Sequence, residues 1–523
     1  MATGRVNFFR AFLSSALGTG LSRILGAVRD RYIGQLLGAS AGADAFQVAW
    51  TIPGAMRRFV ADEGLTGALI PAIAKAEVEE GPEAVKRLAA STLGALLVAN
   101  VVLLVMVWLA AEPLVYLFAP TWGDDPEKVA LATSLTRWMM PFLLMVSLVS
   151  YAEGLLNYKG HFFAPKIAPG LVSLGFVASA ILLGTSFEQP AFALVVGLLA
   201  GGTAHVLINL PPLVSKGAMY GLAFRFQDPR LRQVVREMGK VVLIGAFAQV
   251  NLIVLRQIAT SLETGSVTQY TFATRMVDLA QGVVAVAIGS ALLPNVAAAA
   301  SNQDHTQLRN DLVGAFRLAG FMLLPAAVVL VLYGLPAAAM WFRTGRYTMA
   351  DVEATAAAVT LMAPFMLALA AVNILKKVFF ALEDRHTLLA VGAFGVLLNA
   401  TVGWGLALSY GLNGLAATLS ITTWAQLVIY LVVLQRRLGD GLGLGALAAP
   451  YARMTLCLLP VAGVLVVAAG QADWSQGLTG TNTVVFLGGL GMAAGSYLAF
   501  AWLLGLHEVT RVTGRLMARF GRK

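Results

Sequence analysis

Apolar runs dominate this chain, and the breaks between them are too short to hold a soluble domain. A helix needs about 20 apolar residues to cross the roughly 30 Å hydrocarbon core of a bilayer. Fourteen runs of about 18 to 25 residues can be read, centred near residues 22, 60, 104, 146, 175, 202, 251, 284, 326, 367, 398, 424, 459 and 494. In hydrocarbon every backbone donor must be satisfied internally, which makes such runs helices rather than open strands. The composition agrees, with 58% hydrophobic and only 12% charged residues and a mean hydropathy of +0.76, where soluble domains carry about 25% charge. The sequence predicts an all-α polytopic membrane protein of about 14 transmembrane helices.

Several chemistries find no foothold. The single cysteine, Cys457, lies in an apolar run, so neither a disulfide framework nor a multi-cysteine metal site is available. The five histidines are scattered, and the "HEVT" at His507 lacks the second histidine of a metalloprotease helix. No GxSxG or P-loop pattern occurs, so neither an enzyme nor a metal site is expected. Arg10 interrupts the first apolar stretch, which makes the N-terminus a poor signal peptide.

The formal charge of +10 could suggest nucleic acid, but its placement argues otherwise. Lys and Arg crowd the N-terminus, alternate loops (Lys75, Lys86, Arg87; Lys159, Lys166; the 216–240 segment; Arg309, Arg317; Lys376, Lys377, Arg385; Arg436, Arg437) and the C-terminal tail. The opposite side carries Lys128, Arg343 and Arg346. That asymmetry predicts both termini in the cytoplasm and an even helix count. The tail and the 216–240 segment are read as topology determinants that also touch anionic lipid, with no nucleic-acid partner.

An internal repeat is suggested by "ALIPAIA" (68–74) and "ALLPNVA" (291–297), each after a short outer turn with glycine and an arginine-bearing span. Six spans separate the copies, so both halves insert with the same orientation. The expected organisation is an N-lobe at 1–220, a C-lobe at 221–440, related by a parallel pseudo-twofold repeat, and two further helices with a basic tail at 441–523.

Eight arginines lie at or near membrane depth: Arg23, Arg29, Arg31, Arg57, Arg58, Arg137, Arg256 and Arg275. An arginine at the centre of a span costs about 2.5–3.5 kcal/mol, so three in the first span would cost about 8–10 kcal/mol if each faced lipid. Snorkelling suits Arg31, Arg58, Arg137 and Arg256. Arg23, Arg29, Arg57 and Arg275 are deep and recur in both halves, which fits a common site, with Arg58 adjoining it. Asp30 is seven residues from Arg23, nearly the same face, whereas Arg29 lies about 100–120° round, so Arg23 is the expected local partner of Asp30. Gly18, Gly20 and Gly26 would allow close helix approach or a local break. Span two adds Asp44 at its outer end and Pro53 as an expected kink. Asp278 follows Arg275 by one turn, close enough to support it. The acids Asp30, Asp44 and Asp278 are outnumbered, and surplus guanidinium suits an anion, above all phosphate with its match to the planar fork. Trp50, Trp108, Trp138 and Trp502 are read as packing or interface residues, and Tyr151, Glu153 and Asn157 as packing and loop groups.

"SRILGAVRD", "ADAFQVAWTIPGAMRRFVADEGLTGALIP" and "YTFATRMVDLAQGVVAVAIGSALLPNVA", with "FRTGRYT" and "FFALEDRHT" further on, resemble the MurJ (MviN-type) lipid II flippases of the MOP exporter superfamily. The resemblance implies translocation of an undecaprenyl-diphosphate-linked peptidoglycan precursor by alternating access between two lobes in the bacterial cytoplasmic membrane. Carried over by motif, Arg23, Arg29, Arg57 and Arg275 match the family's cavity arginines, Asp30 its adjoining acid and Asp44 the acid of its "DAF". It also implies that the last two spans form a groove for the isoprenoid tail, a role their apolar, glycine-rich sequences fit no better than ordinary packing. This chain departs from the pattern at Gly54, where many relatives carry asparagine, and at Thr51, where some carry lysine. Leu255 stands where members with a sodium site show an aspartate; a leucine cannot ligate a hard cation, so sodium coupling and any resident cofactor are not expected, and membrane potential or another ion gradient is left as the energy source. The expected partners are lipid II, membrane lipids and the cell-wall synthesis machinery, around a monomer. The rival readings are an organic-ion exporter of the same superfamily, which would want an acidic cavity, a membrane enzyme acting on lipid-linked sugars, which would want large catalytic loops, and a scaffold.

Overall fold

The computed structural model describes residues 5–60, 63–291, 298–299, 305–439 and 442–509; for 5–19, 58–60, 63–64, 66, 240–248 and 283–291 the description is of backbone alone. Among the described residues the regular structure is helical, with one isolated antiparallel bridge between Thr344 and Tyr347. Nine helices there are long and apolar enough to cross a membrane. One of them, Arg385–Leu438, is two helices meeting at Gly411, whose φ of 57° and ψ of −135° lie outside the range of residues with a Cβ. The expected spans near 398 and 424 thus join without a loop. The chain divides into two compact units, 1–268 and 269–523.

The first unit begins with α1 (Arg5–Leu37) and α2 (Ala41–Val60). α1 runs unbroken through Gly18, Gly20 and Gly26, and a Cβ added at Gly20 or Gly26 would meet nothing within 4 Å. These two glycines therefore neither break the helix nor seat a neighbour; they border open space. α2 likewise continues as a helix through Pro53. The stretch expected to be span two, centred near residue 60, falls on α2 and α3 (Glu63–Glu80), between which residues 61–62 lie outside the described residues. "ALIPAIA" lies in α3, while residues 292–297 of its expected repeat copy lie outside the described residues.

There follow α4 (Pro82–Leu109), α5 (Ala111–Phe118), α6 (Pro126–Met139), α7 (Pro141–Tyr158), α8 (Phe163–Ile167), α9 (Pro169–Leu183), α10 (Ala191–Leu207), α11 (Leu210–Ser215) and α12 (Pro229–Thr260). Their starts are chemically marked. Proline at the first position gives up an amide that has no intrahelical partner anyway, and the Asp125 and Asp228 side chains accept from the first-turn amides of α6 and α12. α1 packs on α8 and α9, α2 on α6 and α7, and α3 on α4, α7 and α12. The α9–α10 contact is closest: a Cβ at Gly197 would lie 2.1 Å from Ser179 Oγ, and one at Gly175 2.3 Å from the Gly197 carbonyl. Small residues let these backbones touch, as apolar helices in lipid require.

The second unit holds α13 (Ser266–Ala291) beyond its first turn, then α14 (His305–Leu332), α15 (Gly334–Phe342), α16 (Met349–Ala381), α17 (Arg385–Leu438), α18 (Ala448–Ala469) and α19 (Gly480–Leu503). Thr348 and Asp351 form a reciprocal capping box at the start of α16. Phe272 of α13 stacks on Phe342 with ring centroids 4.3 Å apart, and Gln269 Nε2 donates to Asp351 at 3.0 Å. α14 receives the hydroxyls of Tyr451 and Tyr497 at the carbonyls of Phe316 and Phe321. α18 and α19 pack together and leave Leu459, Val467, Val484 and Leu487 exposed, an outer face suited to lipid.

Candidate functional site

The first unit carries two kinds of buried charge. At one end of α2, Asp44 is 1% exposed. One oxygen accepts from the amide and the hydroxyl of Thr268 at 3.0 and 2.9 Å, and the other accepts from the Gly265 amide at 2.7 Å. Lys128 Nζ stands 3.6 Å from that second oxygen and 4.2 Å over the Trp122 ring. Trp122 Nε1 in turn donates to the Thr260 carbonyl, as does the Thr121 hydroxyl. Glycine at 265, with φ of 96°, allows the turn to come in against Ala39. This knot ties the end of α12 and its following turn to α2 and α6.

Deeper in, the arginines are differently placed. Arg29 lays Nε and Nη2 on a single oxygen of Asp30, at 2.9 and 2.7 Å, and its guanidinium lies 5.8 Å from the centroid of the Phe176 ring. Phe176 is itself fixed edge-on by Phe46 and Trp50 of α2, and Trp50 also packs on Phe142. The Arg29 side chain keeps 15% of its surface open. An aromatic platform and one carboxylate oxygen therefore orient a guanidinium without enclosing it.

The pairing corrects the expectation from helical spacing: Asp30 is held by Arg29, its neighbour in sequence, while Arg23 is exposed. A long arginine stem crosses the arc between adjacent positions, whereas Arg23, though close to Asp30 in helical phase, lies about 10 Å away along the axis by the 1.5 Å rise per residue. Arg57 is half-buried on α2. The Arg58 side chain lies outside the described residues. Arg275 and Asp278 belong to the second unit, both exposed and one turn apart on α13. The structure thus brings Arg29 and Asp30 together and sets Asp44 apart in its own knot, while Arg23 is exposed on α1 and Arg57 half-buried on α2.

Among the remaining expectations, the half-buried Arg137 donates to the Trp108 carbonyl at 3.2 Å, and Trp108 packs edge-on against Trp138. Tyr151 is buried with its hydroxyl on the Ala89 carbonyl, and Glu153 pairs with Lys166. Leu255 is buried in α12. Among the described residues no three His, Cys, Asp or Glu side chains converge as metal ligands. Sequence reasoning missed Lys128 and Trp122. Lys128 had a signal, as a lone lysine in an outer loop of acids.

Comparison with known proteins places this architecture. The family model described as "Lipid II flippase MurJ" matches residues 33–486. The probable lipid II flippase MurJ of Buchnera aphidicola subsp. Acyrthosiphon pisum is 26% identical over 424 residues, covering 81% of this chain and 83% of its own. The lipid II flippase MurJ of Burkholderia cenocepacia is 29% identical over 401 residues, covering 75% and 77%. Among solved structures, a lipid II flippase MurJ in an inward closed conformation superposes with a TM-score of 0.75 at 18% identity, covering 94% of this chain and 98% of that one. An inward-facing multidrug resistance MATE transporter of the MOP superfamily gives 0.64 at 16% identity, covering 80% and 94%.

Proposed function

Because the chain belongs to the MurJ family of lipid II flippases, we propose that it carries lipid II, the undecaprenyl-diphosphate-linked peptidoglycan precursor, from the inner to the outer leaflet of a bacterial inner membrane. It is a multi-pass transporter and not an enzyme. Both termini are cytoplasmic in this reading, with 1–220 and 221–440 as the two repeat-related lobes that alternate access.

The observation that carries the proposal is the partly open Arg29 guanidinium, held by Asp30 and Phe176 inside an apolar helical unit. A diphosphate joined to a glycopeptide cannot shed its water into hydrocarbon at tolerable cost. A protein route must replace that water with donors already in place. A fixed guanidinium supplies parallel N–H groups to phosphate oxygens, and its orientation by Asp30 means little order has to be created when the anion arrives. In this reading the substrate is also met by Arg23 and Arg57 of the first unit, with Arg58 next to the latter in sequence, and by Arg275 and Asp278 of the second unit. The acidic cavity wanted by an organic-cation exporter is the opposite arrangement.

Asp44 acts in this scheme as a positioning group rather than a contact to substrate, since both of its oxygens are already engaged. Leu255 offers no ligand to sodium, and the driving force is taken to be the membrane potential, worth about 2.3 kcal/mol per charge per 100 mV. Reconstitution in liposomes with a leaflet-sensitive assay of lipid II, with and without imposed potential, tests the function. Lipid II reaching the outer leaflet only with protein present, and faster with an inside-negative potential, is expected; a rate equal to that of empty liposomes overturns it.

A further inference from the structure

Residues 216–228, between α11 and α12, form neither helix nor strand, and they carry their large apolar side chains outward. Met219, Leu222, Phe224 and Phe226 are each 49–64% exposed, and the Phe224 and Phe226 ring centroids lie 6.4 Å apart. The backbone beneath them is nevertheless fastened. Ala218 is fully buried with its amide on the Leu213 carbonyl, and Tyr220 packs on the core that these two residues share with α3, α4, α7 and α12. The Ala223 amide donates to the Ala90 carbonyl of α4 at 3.1 Å. Gly94, one turn on, lets the segment lie against that helix, since a Cβ there would meet the Ala223 carbonyl oxygen at 2.1 Å and the Phe224 ring at 3.3 Å. An apolar patch held out this firmly marks a surface that meets something other than water.

The crossing of α4 sets the depth of the segment. No charge interrupts the sequence between Arg87 and Glu112. A hydrocarbon core of about 30 Å takes about 20 residues of helix, and centred on that stretch they run from about residue 90 to about residue 109. Ala90 then stands at one edge of the core and Gly94 about 6 Å inside it. Val98, Val101, Val105 and Leu109 continue the face of Ala90 and Gly94, all six within about 100° around the helix, and these four are exposed. The segment thus lies across the foot of a stripe that faces lipid. The charge around it is basic: Lys216, Arg225 and Arg232 are exposed, and the one acid between residues 216 and 236, Asp228, caps α12.

We infer that residues 216–228 form a strap seated in the membrane interface, with Met219, Leu222, Phe224 and Phe226 among the first acyl carbons and Lys216, Arg225 and Arg232 on the headgroups of anionic phospholipids. Charge alone predicts contact with anionic lipid; the structure adds the depth and the side chains that enter. Apolar and aromatic groups set among basic ones are the pattern of a segment that lies in an interface rather than across it. Arg225, between the two phenylalanines, has a stem long enough to keep its guanidinium at headgroup level while its neighbours go deeper. Irregular backbone is tolerated there because water and headgroups reach it, and the Ala223 amide, the one nearest α4, already has its acceptor. That the leaflet is the inner one, whose anionic lipids attract basic segments, rests on the proposed topology; the depth does not.

The test puts a thiol-reactive, environment-sensitive fluorophore on the full chain in lipid nanodiscs, in a Cys457→Ser background, Cys457 being the single native cysteine. Phe226→Cys and Leu222→Cys each report on the strap, Val101→Cys on the lipid-facing stripe, and Glu83→Cys, in the exposed first turn of α4, on water. The strap labels should emit at shorter wavelength than the Glu83 label. A nitroxide near the headgroup should quench them more than one deep in the acyl chain, the reverse of the Val101 label. At equal mole fraction, nitroxide-bearing phosphatidylglycerol should quench them more than phosphatidylcholine does, and Lys216→Gln, Arg225→Gln and Arg232→Gln together should abolish that preference. Strap labels that emit like the Glu83 label and escape both nitroxides put the segment in water, as a face for a soluble protein would be, and overturn the inference. Equal quenching by the two lipids overturns the anionic occupant. The measurement uses no transport, so its failure is separate from that of the proposed function.

Discussion

Asp44 and Arg29 pose the same problem and solve it in opposite ways. Each is a charge in a helix that apolar neighbours surround. Asp44 is sealed, with three hydrogen bonds and a lysine taking up its two oxygens. Arg29 is steadied by one carboxylate oxygen and the face of Phe176 and stays partly open. If Arg29 receives the substrate as proposed, the difference separates charge that holds the protein together from charge kept ready for a ligand. Removing the first should cost folding, and removing the second should cost transport.

The comparison breaks first, and hardest, at the knot. Asp44→Ala leaves the Lys128 ammonium buried with only the Trp122 ring for company, and a buried pair stripped of one partner loses about 3–5 kcal/mol. Thermal unfolding in detergent should show this, and Lys128→Met should lose less, because Gly265 and Thr268 still hold the carboxylate. Equal and small losses would mean the knot is ornamental. At the second pole, Arg29→Ala should keep its unfolding midpoint while translocation falls. Truncating one partner of a hydrogen-bonded charge pair costs about 2–5 kcal/mol, or about 30- to 4,000-fold at tenfold per 1.4 kcal/mol. Arg275→Ala should behave likewise, and Arg29→Lys should recover only part, lacking the fork. The leaflet-sensitive lipid II assay reads both, and normal flipping by Arg29→Ala would erase the distinction between the two regions.

A third variant sharpens the comparison without touching a charge. Gly197→Val drives a side chain into Ser179 Oγ and the Gly175 carbonyl, 2.1 and 2.5 Å from the added Cβ, and overpacking of that sort costs about 1–3 kcal/mol. Because α9 also carries Phe176, transport should fall along with stability. A variant that loses stability yet flips at the normal rate would show that the Phe176 platform is not needed to aim Arg29.

How much of this could be read from sequence follows from the range of the interactions. Spans announce themselves through composition over some twenty residues, so the helical architecture was legible, as was the surplus of arginine. The Gly411 junction was not, since a run of apolar residues looks the same whether a loop or one positive φ divides it. Partner choice was least legible. Asp44 meets Thr268 across 224 positions, a separation no periodicity encodes, and the identity of Asp30's arginine turned on how far a flexible stem reaches rather than on helical phase.

The smallest effect lies on the surface and tests whether exposed charge behaves as a third category. Arg230, at the start of α12, pairs with Glu80 at 2.5 Å and Glu79 at 3.1 Å, and Arg87 also reaches Glu80. The Arg230 hydrogen bond holds the Glu80 carboxyl below the ordinary glutamate range. A depressed carboxyl contributes stability that is fully present above the unfolded glutamate pKa and is lost as pH falls through the lowered folded value. Wild type and Glu80→Gln should therefore differ slightly in unfolding midpoint at neutral pH and converge in acid below the ordinary glutamate range, with salt narrowing the gap at any pH. A gap that widens in acid would reverse the sign of the linkage and place the stabilising charge on some other group. A gap as large as that of Asp44→Ala would mean that burial is not what separates the knot from the rest.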